Sequence, residues 1–394
     1  MTKKDFFKKE IKRRGEVDKA TYAMVGAEIK RLRLKSQQTL SNLAENLCSV
    51  SYVCKIERAQ IKPNKYMLGE IFKRLDASDN SVQSLFDLKD FITDSVKWYY
   101  ERNTKKFEEV YSKIKGLDNY RTTLFMFIYS IYKKDLLRAN LLINDIYKIA
   151  NIMTNNELYI FLFFASIIEF YEENYSVVVD NLKIIAGLEP NNYLGILAYA
   201  YIFKSYFKMN NPMCLIYGEY LSDFFLKNLD FEKGEEIRYL CSLYKVWNGM
   251  KEVVYKEMNM LKEKKYRATL DFYIRIQNPK FRIKNFISKK HLLSPFARLL
   301  LLYVMNDESY FKEYIELDKN KEFEIEYSHN IAHYLSLQSD EDKIEDLVRV
   351  VLPNIEYTKN ALEKNFFLNQ LCNICLDNTK YKLFCVAYKQ LLSI

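Results

Sequence analysis

Four polar side chains near the N-terminus have the types and spacing to bind a polyanion. They are Ser51, Tyr52, Lys55 and Arg58. At about 100° per residue these positions share one flank of a helix. Hydroxyls, an ammonium and a guanidinium on one flank offer donors to base edges and phosphates, as the major groove of double-stranded DNA requires. The residues expected at base edges are Ser51, Tyr52 and Lys55, and those expected at phosphates are Thr39, Ser49 and Arg58. The alternative is that all six are ordinary surface residues.

Two short helices joined by a tight turn are predicted to hold this flank in place. Thr39 can cap the first helix, and the turn is expected at Cys48 and Ser49. The apolar spacing predicts the buried faces: Leu40, Leu43, Ala44 and Leu47 in the first helix, and Val50, Val53 and Ile56 in the second. An apolar back and a polar, basic front are typical of a helix-turn-helix.

The segment from Gly26 to Ser78 resembles the helix-turn-helix of the phage-repressor (XRE/Cro) class, and within it the peptide-responsive Rgg, PlcR and PrgX group of regulators. The matching residues are Ile29, Leu32, Arg33, Thr39, Leu43, Ala44, Lys55, Ile56, Glu57, Arg58 and Pro63. The resemblance implies that Arg33 and Glu57 form a structural pair. Leu40 replaces the glutamine that usually opens the second helix, which removes a customary DNA contact, and Ala59 replaces a turn glycine.

The composition predicts an almost wholly helical chain of more than one domain. Only 9 glycines and 6 prolines occur in 394 residues, which leaves few turn-forming residues for a β protein. Residues 1–80 hold 18 Lys/Arg and 10 Asp/Glu, a net charge of +8 out of +9 for the whole chain. This asymmetry indicates a polyanion partner at the N-terminus.

The sequence also bears on the compartment. Met1 to Arg14 is rich in charge and does not read as a signal peptide, and no run reaches the roughly 18 apolar residues of a membrane span. Seven scattered cysteines favour reduced thiols. We therefore expect a cytoplasmic protein with no membrane partner.

Residues 1–20 form a basic amphipathic segment with two open interpretations. It is either an arm along the DNA backbone or a solvated extra helix. The arm would place these cations on phosphates: Lys8, Lys9, Lys12, Arg13 and Arg14. The polar stretch at Asp76 to Ser81 predicts the end of a DNA-binding domain at residues 1–80.

Residues 81–394 are predicted to form a right-handed α-solenoid of helix pairs. An aromatic residue before a polar joint recurs: Tyr100 before Asn103, Tyr132 before Asp135, Tyr171 before Asn174 and Phe207 before Asn210. The aromatic residues are 32, 39 and 36 residues apart. These spacings are close to the ~34 residues of a tetratricopeptide repeat. The segment from Phe163 to Pro190 resembles one such repeat. Stacked pairs leave a concave groove that suits an extended peptide.

Four residues are predicted to bind that peptide. They are Phe163, Ile167, Tyr201 and Lys204, of which Lys204 would hold a carboxylate and the others apolar side chains. The alternative is that the apolar and aromatic residues belong to the core.

No catalytic site is predicted, and no cofactor or metal. His329, His333 and Glu326 could share a helix face but lack the zinc-protease pattern. Cys372 and Cys375 form a CxxC without a second pair, which favours buried structural thiols.

Together these features predict a homodimeric transcription regulator that binds a DNA operator and is controlled by a short signalling peptide. Two alternatives remain. One is a phage or mobile-element regulator of the arbitrium-receptor type, and the other is a protein-interaction scaffold in which DNA binding is secondary.

Overall fold

The regular elements of the described residues are all helices, as the scarcity of glycine and proline predicts. The computed structural model describes residues 22–77, 91–188, 192–276, 284–305, 307–318, 326, 328–337, 339–347, 349 and 361–377. No strand occurs among them, so the all-α prediction is confirmed. The basic segment at residues 1–20 and the boundary predicted at residue 80 lie outside the described residues.

The chain divides into two compact units, Met1–Ser205 and Tyr206–Ile394. The helices that begin in the first unit are α1 (Tyr22–Lys35), α2 (Leu40–Ala44), α3 (Val50–Glu57), α4 (Lys65–Arg74), α5 (Phe91–Glu101), α6 (Thr104–Ile114), α7 (Tyr120–Tyr132), α8 (Leu136–Ile149), α9 (Asn155–Tyr171), α10 (Tyr175–Leu188) and α11 (Tyr193–Lys208). The division falls inside α11, so α1 to α4 share a unit with the helices up to that point.

The helices that begin in the second unit vary from 4 to 17 residues in length. They are α12 (Met213–Lys227), α13 (Phe231–Trp247), α14 (Lys251–Met258), α15 (Lys264–Ile276), α16 (Lys284–Ile287), α17 (Pro295–Val304), α18 (Tyr310–Asp318), α19 (His329–Ser336), α20 (Asp340–Asp346) and α21 (Ala361–Asp377). Neighbours in sequence pack on one another, most extensively α12 on α13. Such pairing buries the apolar face that a single helix cannot cover alone.

A repeated joint separates the paired helices of the first unit. Arg102, Lys134 and Glu173 each follow a helix and adopt positive φ angles of 55°, 62° and 63°. The next residue then starts the following helix: Asn103 Oδ1 accepts from the Lys106 N–H at 3.2 Å, and Asp135 Oδ1 accepts from the Arg138 N–H at 3.0 Å. A left-handed residue followed by an Asx cap reverses the chain in few residues. The polar joints predicted at Asn103, Asp135, Asn174 and Asn210 all fall between two helices.

Helices α1 to α4 enclose a small core of their own. Its buried members are Val25, Ile29, Leu32, Leu43, Ala44, Val53, Ile56, Ile71, Phe72 and Leu75. In α1 and α3 they recur three or four residues apart, whereas α2 and α4 contribute the adjacent pairs Leu43–Ala44 and Ile71–Phe72. One apolar side of each helix therefore faces the same centre.

Aromatic rings fill the rest of both units. In the first unit Trp98 meets the edge of the buried Phe107 with ring centroids 5.7 Å apart. In the second unit Trp247 lies 5.4 Å from Phe207 and 6.0 Å from Tyr273. Each unit therefore contains one of the two tryptophans of the chain.

Across the described ranges, none of the helices combines the length and the apolar character needed to cross a bilayer.

Candidate nucleic-acid interface

Helix α3 presents the predicted polar flank to solvent. Ser49 caps the helix, because its Oγ accepts a hydrogen bond from the Tyr52 N–H at 3.1 Å. Val53 and Ile56 point into the core, while Ser51 and Lys55 on the opposite side are exposed. An apolar back and a polar front are thus separated within a single eight-residue helix.

The remaining predicted contact residues lie at the ends of the two short helices. Thr39 caps α2 and is exposed, and its Oγ1 accepts from the Asn42 N–H at 3.1 Å. Arg58 follows α3 and is exposed, whereas Tyr52 is half-buried against the core. Every residue predicted to contact DNA therefore has at least part of its side chain at the surface.

The cations of this flank carry uncompensated charge. Among the described residues, no carboxylate lies within ion-pairing distance of Lys55 or Arg58. Residues 22–77 hold ten Lys/Arg and five Asp/Glu, a net charge of +5. Free cations on a net positive surface attract a polyanion and release its counterions on binding.

A mostly buried ion pair fixes α3 against α1. Arg33 donates from Nε to Glu57 Oε1 at 2.6 Å and from Nη2 to Oε2 at 2.9 Å, and its Nη1 donates to the Gln38 carbonyl at 2.9 Å. The hydrogen bonds to Glu57 raise the pKa of Arg33. The pair that the family resemblance implied is present. Because Glu57 ends α3, this contact holds the helix at its C-terminus.

The two helices also approach very closely at Gly26 in α1. A Cβ atom added there would lie 2.3 Å from the Ile56 carbonyl oxygen. Only glycine allows this approach, since the atom in the way belongs to the backbone. The ion pair and the glycine contact act on the same end of α3.

Some local predictions for this region were wrong. Val50 is 43% exposed, because as the first residue of α3 it lies beyond the core that Val53 and Ile56 fill. Helix α2 stops at Ala44, so Leu47 lies in the connection and is only half-buried. Ala59, predicted to replace a turn glycine, adopts a φ of 55°, a left-handed conformation that favours glycine.

The residues predicted to bind a peptide lie mostly in the core. Phe163 and Ile167 are fully buried and Tyr201 is 7% exposed. The Tyr201 hydroxyl lies 2.8 Å from that of Tyr99, and the Phe163 ring packs edge-on against both tyrosines. These three side chains offer no face to a ligand, and we correct their assignment to core packing. Helical spacing did not distinguish a groove from a core.

Lys204 differs from the other three. It is half-buried, and its Nζ lies 5.2 Å from the centroid of the Tyr201 ring. A role for Lys204 in holding a carboxylate stays a prediction.

A cavity of about 490 Å³ lies in the second unit between α12, α13 and the end of α14. Gly218, Ser222 and Ser242 leave room between the helices, and the Arg238 Nε donates to Ser222 Oγ at 3.0 Å. Sequence reasoning missed this cavity. The only local signal was a run of small residues on the facing sides of two adjacent helices.

Two basic side chains, Lys245 and Arg238, line this cavity, and only one of them forms an ion pair with a described residue. Lys245 Nζ lies 2.5 Å from Glu257 Oε1, but within the described residues Arg238 has no carboxylate at ion-pairing distance. Burial raises the pKa of the Cys241 thiol in the cavity wall to about 12, so this thiol stays neutral. The cavity therefore offers the Arg238 guanidinium beside apolar surface from Leu215 and Leu261, and its wall also contains the carboxylates of Glu219 and Asp223.

In the described part of the chain, no group of three or more His, Cys, Asp or Glu side chains is arranged to hold a metal ion. Glu326 is buried and accepts hydrogen bonds from the hydroxyls of Tyr273 at 3.1 Å and Ser294 at 2.5 Å. His333 is exposed. Cys372 and Cys375 are both buried in α21.

Comparisons with known proteins return no relative. No protein-family model, no curated protein and no solved structure matches this chain.

Proposed function

We propose that this protein is a transcription regulator that reads double-stranded DNA with α3, which we call the reading helix, and that a short signalling peptide controls it. One observation carries the proposal. The reading helix exposes basic and polar side chains whose charges no described carboxylate pairs with, and the Arg33–Glu57 ion pair fixes the opposite side of the helix against α1. The pair fixes the C-terminus of this helix against α1, so the polar face keeps one orientation.

Direct reading of bases falls to the exposed middle of this helix. Lys55 can donate to guanine O6 and N7, and Ser51 can donate to or accept from any base edge. Tyr52 adds a hydroxyl on a ring that the core already supports. Arg58, Ser49 and Thr39 lie at helix ends, where contacts to phosphates set the register of the helix in the groove.

The proposed active form is a homodimer. Two reading helices about one DNA turn apart would match a pseudo-palindromic operator. The repeat helices α5 to α21 supply the remaining surface for self-association and for the ligand, in an arrangement that we propose to be an α-solenoid of tetratricopeptide type.

For the peptide, the cavity between α12 and α13 supports a binding role better than the core positions do. Its volume of about 490 Å³ is in the range of small ligand sites. Arg238 would hold a carboxylate of the peptide, while Leu215 and Leu261 would contact an apolar side chain. Binding would favour one arrangement of the two reading helices and so change the population that fits the operator.

The test begins with duplexes enriched by the full-length protein from a random pool. A gel-shift titration of the enriched duplex is then run with and without peptides from the producing strain's culture medium. We expect binding that weakens with salt and changes when the peptides are added. Failure to enrich any duplex would refute DNA reading, and equal affinity with and without peptides would refute peptide control.

A matched variant separates this function from that of a scaffold. The double substitution Tyr52→Ala and Lys55→Ala should abolish both operator binding and the transcriptional effect. A protein that acted as an interaction scaffold would retain its cellular function after the same change.

A further inference from the structure

Helix α1 contacts two sets of helices at once. Val25, Ile29 and Leu32 on one side belong to the core of α1 to α4. The same helix also contacts α7, α8 and the 3-10 turn at Ala150–Ile152. Helix α1 therefore lies between the reading helix and helices α7 and α8.

A buried carboxylate joins α1 to the start of α7. Glu28 is 1% exposed. Its Oε2 accepts from the Tyr120 N–H at 2.8 Å, and both of its oxygens accept from Arg31, at 3.0 and 2.7 Å. Tyr120 is the first residue of α7, where a backbone N–H has no partner within its own helix. A carboxylate at that end also interacts favourably with the helix dipole.

The side chain of the same tyrosine extends the connection to α9. Its hydroxyl donates to Glu157 at 3.1 and 3.2 Å, and the Arg121 Nε donates to Glu157 at 2.8 Å. Tyr120, Arg121 and Glu157 are all buried. Burial raises the pKa of the Tyr120 phenol well above its usual value, so the hydroxyl keeps the proton that it donates.

Glu157 at the far end of this connection is itself fixed. It completes a capping box with Thr154 at the N-terminus of α9. The chain of contacts thus runs from Glu28 in α1, through the backbone and the hydroxyl of Tyr120, to the first turn of α9.

A more exposed rim surrounds this centre. Arg31 Nη1 and Lys35 Nζ lie 2.8 and 2.6 Å from the carboxylate of Asp118, whose side chain is 53% exposed. Ion pairs in this setting contribute little. The buried members fix the geometry instead, because a partner lost from a buried polar network leaves a desolvated group unsatisfied.

We propose that Glu28 and Tyr120 are positioning residues for DNA reading, which fix α1, and with it the reading helix, against the first turns of α7 and α9. The inference rests on the proposed DNA-reading function. In a dimer, the repeat helices then set the distance between the two reading helices. Because that distance is fixed, the protein binds operators with only a narrow range of half-site spacings.

The experiment uses the full-length protein and three variants: Glu28→Gln, Tyr120→Phe and, as a rim control, Asp118→Asn. Hydrogen exchange is measured for the segments that contain α1, α3 and the first turn of α7. In parallel, each protein selects from duplexes that carry the enriched half-site at spacings from 6 to about 14 base pairs, a range chosen around one DNA turn.

For Glu28→Gln we expect about tenfold faster exchange at the first turn of α7, because a charge-assisted hydrogen bond is lost. The selected spacings should broaden while affinity for a single half-site stays within about twofold. Tyr120→Phe, which keeps its ring and its N–H, should broaden the spacings without exposing α3. Asp118→Asn should match the wild type in both measurements.

Two outcomes would overturn the inference. One is exchange at α7 in Glu28→Gln equal to that of the wild type. The other is faster exchange with spacings as narrow as before. If the wild type selects no duplex, the proposed DNA reading is refuted. The inference about half-site spacing is then refuted as well, whatever the exchange data show.

Discussion

Arg33 and Glu57 form a two-pronged ion pair that ties the C-terminus of the reading helix to α1. Their side chains are 11% and 6% exposed, so water cannot fully solvate either charge if its partner is removed. We predict that Glu57→Ala lowers the free energy of unfolding by about 3 kcal/mol. Urea unfolding followed by circular dichroism measures this loss.

The control for that prediction is an exposed pair. Arg275 is 50% exposed in its pair with Asp271, so Asp271→Asn should cost less than about 1 kcal/mol. Equal losses in the free energy of unfolding for Glu57→Ala and Asp271→Asn would contradict the prediction that burial makes the Arg33–Glu57 pair the more important of the two.

A methyl group at Gly26 should destabilise the protein. Gly26→Ala would place Cβ 2.3 Å from the Ile56 carbonyl oxygen, and the backbone must move to relieve the clash. We expect a loss of about 1–3 kcal/mol. Gly69→Ala is the matched control, since Gly69 is helical and exposed with no atom within 4 Å of its added Cβ. It should gain about 0.5–1 kcal/mol from helix propensity.

The left-handed residue after α1 should favour glycine. Gln37 is exposed and has a φ of 53°, a region in which a Cβ is costly. Gln37→Gly should therefore raise stability by about 0.5–1 kcal/mol, measured as a higher midpoint of thermal unfolding. The opposite substitution, Gly116→Gln, at a residue with a φ of 93°, should lower that midpoint. A lower midpoint for Gln37→Gly would contradict this account of the turn.

Loss of a free cation on the reading helix should weaken DNA binding without unfolding the protein. We expect Lys55→Ala to reduce operator affinity about tenfold and to lower the slope of log affinity against log salt by about 1. The exposed Lys227 in the second unit gives the control variant Lys227→Ala. Fluorescence anisotropy at several salt concentrations measures both. An unchanged salt slope for Lys55→Ala would remove this residue from the interface.

Local sequence signals predicted the short-range structure well. The apolar spacing after the predicted turn placed the second helix near Val50–Glu57 and separated its buried Val53 and Ile56 from its exposed Ser51 and Lys55. The joints at Asn103 and Asp135 were visible because a polar residue follows an aromatic residue there, at a spacing close to that of a helix-pair repeat.

Contacts between distant residues could not be predicted in the same way. Glu28 and Tyr120 are 92 positions apart, and neither stands in a pattern that marks a partner. The apolar spacing of Phe163 and Ile167 fits a groove and a core equally well. Their complete burial, with Tyr99 and Tyr201 packed on Phe163, decides for the core. The open space between α12 and α13 likewise depends on how two helices meet.

The placement of Trp98 and Trp247, one in each unit, gives the molecule two separate optical reporters. Trp98 is half-buried beside Phe107, whereas Trp247 is 7% exposed, so the second indole should emit at shorter wavelength. A protein with Trp98→Phe would then show only the melting of the C-terminal half, and one with Trp247→Phe only that of the N-terminal half. The two halves can in this way be timed against each other in a single intact chain.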